Sequence, residues 1–139
     1  MREIIMAKLI SMNSDKTLNF GCYTIPEKQK DTLEVGSDVY KVKTFCDVTK
    51  LEKNECFEYE SVPGTKVEEF KRSSNEVSLK VEGIGSTDLI FELEPEKEYA
   101  VCVDGVRGEN AVKANIGGKI TVSLDLPKDK KVEISIKEA

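Results

Sequence analysis

Between Lys119 and Lys137 the chain alternates apolar and polar residues. Ile120, Val122, Leu124 and Leu126 are interleaved with Thr121, Ser123 and Asp125. After the break at Pro127-Lys128-Asp129-Lys130, Val132, Ile134 and Ile136 are interleaved with Glu133, Ser135 and Lys137. Successive side chains of a strand point to opposite faces, so each run makes one apolar and one polar face. That is the pattern of antiparallel sheets with one wet side. Two such sheets must cover each other, which predicts an all-β antiparallel sandwich.

The rhythm extends upstream. Tyr99, Val101 and Val103 oppose Ala100 and Cys102, and the turn dipeptide Asp104-Gly105 follows. Ala111 to Asn115 and the glycine turn Gly117-Gly118 come next, while Val77/Leu79/Val81 and Leu89/Phe91/Leu93 alternate earlier. Counting from Val67 and Phe70, about seven strands are expected, close to an immunoglobulin-like sandwich. The first half adds the apolar run Ile4 to Met12, a strand over Leu18 to Cys22, and strands around a turn at Lys53-Asn54. It also adds Val39 to Cys46, whose mixed phase calls for a bulge near Thr44. Pro26 to Asp31 reads as a polar loop. Pro63-Gly64 is the best internal boundary. It divides a smaller N-terminal β portion, 1–63, from an immunoglobulin-like C-terminal half, 64–139, packed together or continuous as one domain. No amphipathic helix of even three turns is evident.

Composition excludes several functions. The net charge is −5 with lysines and acids interspersed, so no clustered basic face is expected and no nucleic-acid partner. No apolar run approaches the roughly 18 residues of a membrane span. Ile4 to Ala7 is interrupted by Lys8, with no small-residue cleavage site after it. No secretory signal is therefore predicted, and a cytoplasmic protein is expected; Met6 is equally good as a natural start.

The chain contains no histidine. The commonest general base is missing, and Ser-His or Cys-His triads cannot be built. Val62 to Lys66 lacks the glycines of a P-loop. Gly83-Ile84-Gly85 leads into a strand rather than the helix that phosphate binding requires. Cys22, Cys46, Cys56 and Cys102 show no C-x-x-C spacing, so neither metal nor cofactor is expected. Free thiols are expected, with Cys46 and Cys56 the best candidates for a disulfide across a hairpin. Among carboxylates, Glu92, Glu94, Glu96 and Glu98 recur at every second position. In a strand the first two would share a face about 7 Å apart, a spacing a two-carboxylate glycosidase tolerates. Glu58 and Glu60 alternate similarly with Phe57 and Tyr59. Both sets also suit a solvated strand face. Glycan platforms need exposed aromatics, and the chain has no Trp. Tyr23, out of phase with Leu18, Phe20 and Cys22, is the first candidate for ligand contact, and Tyr40 the second.

Tyr99 to Gly105 followed by Asn115 to Val122 resembles the terminal β-sandwich of many polysaccharide-degrading enzymes. Phe57 to Phe70 is loosely similar to the sandwich domains of some polysaccharide lyases. The chain as a whole resembles small uncharacterised bacterial proteins, some labelled endosialidase. The resemblance implies a β-sandwich and a glycan ligand. It carries over no catalytic motif, since a sialidase Asp-box needs Ser-x-Asp-x-Gly-x-Thr-Trp. The residues themselves point to a non-catalytic protein that binds a protein partner or forms a homo-oligomer. A carbohydrate-binding module and an endosialidase-like enzyme are the alternatives.

Overall fold

The computed structural model describes residues 8–73 and 75–139. Residues 4–7 of the expected first strand, and Ser74 of the expected turn at 73–75, lie outside the described residues. The strands are β1 (Ile10–Met12), β2 (Leu18–Phe20), β3 (Gln29–Val35), β4 (Asp38–Thr44), β5 (Thr49–Lys53), β6 (Cys56–Val62) and β7 (Lys66–Arg72). They continue with β8 (Glu76–Glu82), β9 (Gly85–Glu92), β10 (Glu98–Val103), β11 (Val106–Arg107), β12 (Val112–Lys113), β13 (Lys119–Leu126) and β14 (Val132–Glu138). The chain is all-β, and no described helix is long and apolar enough to cross a membrane.

Two antiparallel sheets form a sandwich. One runs β1-β2-β7-β8-β14-β10-β11, with β12 also pairing β10; the other runs β13-β9-β6-β5-β4-β3. Strands from before and after Pro63 enter both layers, since β2 pairs β7 and β6 pairs β9. The alternating residues face inward as expected. Ile120, Val122 and Leu126 of β13 are buried, as are Val132, Ile134 and Ile136 of β14. At the centre, Phe20 and Phe70 of one sheet meet Tyr59 and Phe91 of the other. Phe20–Tyr59, Phe20–Phe70 and Tyr59–Phe91 stack edge to face with centroids 5.3, 5.5 and 5.5 Å apart, the geometry the ring quadrupole favours.

Hydroxyl groups fill the other end of the interior. Thr44, Thr49, Ser61 and Thr65 are fully buried. The Thr44 and Thr49 hydroxyls bond at 2.7 Å, and Thr49 meets the Thr65 backbone through both its N–H and its C=O at 3.0 Å. Thr65 Oγ1 joins Tyr59 Oη at 2.7 Å and Ser61 Oγ at 2.8 Å. Cys22 N–H donates to Thr44 Oγ1 at 2.9 Å, tying in the segment after β2. Polar groups buried this deeply must find partners, and these find each other. Tyr99, buried at the start of β10, accepts the Glu94 N–H at 3.0 Å through its hydroxyl. This is the arrangement of a tyrosine corner.

Several local expectations are corrected. There is no bulge near Thr44: pairing of β4 with β3 and β5 is continuous through it. Tyr40, Val42 and Thr44 form the inner side, and Phe45 has already turned away, its N–H donating to Val48 O at 2.9 Å. A buried threonine obscured that phase. Bulges occur elsewhere. In β7, Glu68 and Lys71 face Lys80 and Ser78 of β8, so β7 carries one residue more than its neighbour. Glu69, at φ 55°, takes the excess, and Val67 and Phe70 both turn inward although three apart. The loop expected over Pro26 to Asp31 gives way at Gln29 to β3, an edge strand with only Leu33 and Val35 as apolar residues. The β5–β6 turn sits at Asn54-Glu55, both at positive φ, one residue later than Lys53-Asn54. Cys46 and Cys56 do not pair. All four cysteines are free, and these two sit at opposite ends of β5, roughly 15 Å apart by strand rise.

Candidate functional site

The carboxylates do not form the two-acid face that their spacing allowed. β9 ends at Glu92, so Glu94 and Glu96 lie in the turn to β10, and Glu98 opens a strand of the other sheet. Glu94 pairs with Lys97 at 3.1 Å, and Glu96 sits at φ 62°. Glu58 and Glu60 part company as well. Leu51 faces Tyr59 while Glu52 faces Phe57, so Glu58 is the extra residue of a bulge in β6. A bulge places two consecutive residues on one side. Glu58 therefore reaches Arg72 of the opposite sheet, whose Nη1 donates to its carboxylate. Glu60 keeps to the outer face, in register with Lys50 and Ile90.

This ion pair floors a cleft of about 250 Å³ at one end of the sandwich, lined by Asp15, Lys16, Leu18, Tyr40, Lys53, Glu58, Phe70, Lys71 and Arg72. Four cations (Lys16, Lys53, Lys71, Arg72) face two acids (Asp15, Glu58), a surplus of two positive charges in a protein of net charge −5. Asp15 is occupied by Thr17, accepting its hydroxyl at 2.6 Å and its N–H at 3.1 Å, and these bonds hold its carboxyl below the usual range. Burial pushes the Glu58 carboxyl up, and the Arg72 cation works against that shift. Lys53 Nζ lies 5.8 Å from the Tyr40 ring centroid.

Tyr40 thus lines this cleft, while Tyr23 is elsewhere. The Tyr23 hydroxyl donates to Glu82 Oε2 at 2.7 Å, and that bond pushes its pKa up to about 12. The segment holding Tyr23 is fastened to Thr44, and Thr44 lies four residues along β4 from Tyr40, roughly 13 Å by strand rise. The structure does not bring the two tyrosines together. Arg72, Lys53 and the inward turn of Glu58 were not foreseen; the unequal spacing of Leu51 and Tyr59 about the hairpin was the one signal of the bulge. Among the described residues no group of three or more His, Cys, Asp or Glu could hold a metal ion.

Glu58 of the cleft and Glu68, which lies outside it, give a paired pH prediction. An acid held above its ordinary value resists ionisation, so the fold gains as pH falls through that raised pKa. Glu68 is the reverse. The hydrogen bond from Lys131, then its charge, holds Glu68 below the usual range, so its contribution is present above the unfolded value and lost on acidification. Chemical unfolding at about pH 7 and about pH 4 checks this. Wild type gains relative to Glu58→Gln on acidification and loses relative to Glu68→Gln.

The second feature is the set of sheet edges. β1 has three residues, too short to template another strand. The outer edge of β10 is covered by β12 at Glu98–Tyr99 and β11 at Cys102–Val103. β3 carries Lys30, Asp31 and Glu34, and its Asp31 accepts the Leu9 N–H at 2.9 Å. β13 is different. It runs for eight residues, is regularly paired to β9 along its whole length, and has no other strand partner among the described residues. Leu93 N–H donates to Gly118 O at 2.7 Å, whereas the Lys119 backbone bonds Asn115. Even-numbered residues therefore bond toward β9. By alternation the N–H and C=O of Thr121, Ser123 and Asp125 point to the open flank.

No protein-family model, curated protein or solved structure matches this chain.

Proposed function

We propose that this protein is a non-catalytic cytoplasmic β-sandwich that acts by pairing with protein, above all with its own copies. The observation that carries this reading is the open flank of β13, a long regular edge in a fold whose other edges are short, covered or charged. An unblunted edge offers backbone donors and acceptors to a further strand. The exposed free thiols of Cys46 and Cys56 fit a reducing compartment. Of the two carboxylates lining the cleft, Asp15 is occupied by Thr17 and Glu58 is tied to Arg72, which favours a structural over a reactive role. Light scattering after size exclusion tests the reading: a dimer or larger assembly is expected, and a monomer at the highest attainable concentration rejects self-association.

A second reading is favoured by the cleft itself. Tyr40 beside a surplus of cations suits an acidic sugar. Titration calorimetry with sialic acid and polysialic acid is the test. Binding weakened by Tyr40→Ala and Lys71→Ala supports this reading, and absence of heat with both ligands removes it.

A further inference from the structure

We infer that the cleft holds its ligand's anionic group on Arg72, and that this group enters by displacing the Glu58 carboxylate, which takes a proton from water as it lets go. The inference rests on the acidic-sugar reading and names the atoms that seat the sugar's carboxylate.

Both residues stand where a closed sandwich would carry apolar side chains. Arg72 follows Phe70 by two along β7, so alternation turns it inward. Glu58, turned inward by the β6 bulge, meets it from the other sheet. Their side chains are only 22% and 12% exposed. Withdrawing two charges from water costs about what their attraction returns, so the pair itself adds little to stability. Arg72 without any anion would be costly to bury. Arg72 with a ligand's anion, and a neutral Glu58 beside it, is not.

The hold of Glu58 on Arg72 is also incomplete. Among the described residues the guanidinium has one acceptor, Glu58 Oε2, reached through Nη1 alone. A carboxylate or sulfate can take two parallel N–H···O bonds from the donor fork where Glu58 takes one. Of the four cations of the cleft, only Arg72 and Lys53 enter ion pairs among the described residues, Lys53 with Asp38 at 3.8 Å. Lys16 and Lys71 are left to attract an incoming anion. The volume of about 250 Å³ lies below the range for drug-sized ligands. It suits one sugar-acid unit with its ring beside Tyr40.

The sign of the pH effect follows from what surrounds Glu58. Burial raises its carboxyl, Arg72 of β7 and then Lys53 of β5 oppose this, and the Glu92 charge of β9 adds to it. Tyr40 of β4 lines the same cleft, as do Asp15 and Lys16 of the β1–β2 turn and Lys71 next to Arg72. A ligand anion on Arg72 takes away the cation that keeps Glu58 ionised and sets a second negative charge beside it. Both changes favour the neutral acid. By linkage, binding takes up a proton and tightens as pH falls.

The test uses the full chain with sulfate, whose charge stays constant over the range used, and with sialic acid. Calorimetry at about pH 7 and about pH 5 compares wild type, Glu58→Gln and Arg72→Lys, with urea midpoints confirming that each folds. Wild type is expected to bind more tightly at the lower pH and to take up protons, read from the dependence of the heat on the buffer. Glu58→Gln binds at least about fivefold more tightly at neutral pH and loses both the pH dependence and the proton uptake. Arg72→Lys, which keeps the charge but not the fork, weakens binding. This pattern with sulfate alone supports Arg72 as the anchor and removes the sugar. Equal binding by wild type and Glu58→Gln, or binding unmoved by Arg72→Lys, overturns the displacement and leaves the acidic-sugar reading standing. Absence of binding to both anions in wild type and Glu58→Gln overturns both.

Discussion

Replacing Gly64 with alanine is expected to destabilise the fold by about 3 kcal/mol or more, among the largest effects of any single methyl group. A Cβ built on Gly64 would stand 2.0 Å from the carbonyl oxygen of Phe45. Neither side can retreat easily. Gly64 N–H donates to Cys46 O at 3.0 Å, and Cys46 N–H donates to Ile25 O at 2.8 Å, so three segments are laced together by backbone bonds. The contact is backbone against backbone, and no side-chain rotation relieves it. Gly36→Ala is the control. Gly36 has φ 61° but nothing near its missing Cβ, so only the left-handed backbone cost of about 1–2 kcal/mol applies. Urea unfolding of the two variants separates crowding from conformation. Equal losses would show that the close approach at Gly64 carries no energetic weight.

The second large effect belongs to Thr65. Thr65→Val keeps the shape but removes the oxygen shared by Tyr59 and Ser61, two hydroxyls with no access to water. Leaving buried polar groups unpaired costs about 1–3 kcal/mol each, so a loss of about 2–4 kcal/mol is expected. A double-mutant cycle identifies the mechanism. Tyr59→Phe alone loses about 1 kcal/mol. In the Thr65→Val background it loses little, because the tyrosine hydroxyl no longer has a partner to forfeit. Additive losses would mean that the hydroxyl network is not coupled. Burial already pushes the Tyr59 pKa up, as expected for a phenol held away from water.

How much of this was legible depended on whether alternation was clean. Val77, Leu79 and Val81, or Ile120 and Val122, announce strands because each inward position is apolar and each outward one polar. The two-sheet sandwich follows from those runs. β3 was missed because an edge strand with Gln29, Lys30, Asp31 and Glu34 buries too little to leave a period. The hydroxyl network was hidden for a related reason. Thr44, Thr49, Ser61 and Thr65 read as surface residues one at a time, and become core residues only when the fold satisfies them together. The candidate cleft was least legible. Tyr40 was marked only as the second aromatic candidate, while Arg72 arrives from another sheet and Glu58 turns inward only through a bulge. The first leaves no mark in local spacing, and the second leaves only the unequal distance of Leu51 and Tyr59 from the hairpin turn.

The surplus residue in β7 bears on how this gene can change length. β7 lies between two strands, and each counts one residue fewer over the same stretch. Deleting Glu69 would restore simple alternation and swing either Val67 or Phe70 out of the aromatic centre into water. A deletion in an exposed hairpin tip would leave both where they are. At Glu69 what matters first is that a residue is present to occupy the step; its carboxylate adds an exposed ion pair with Lys80 at 3.0 Å, a contact of small worth.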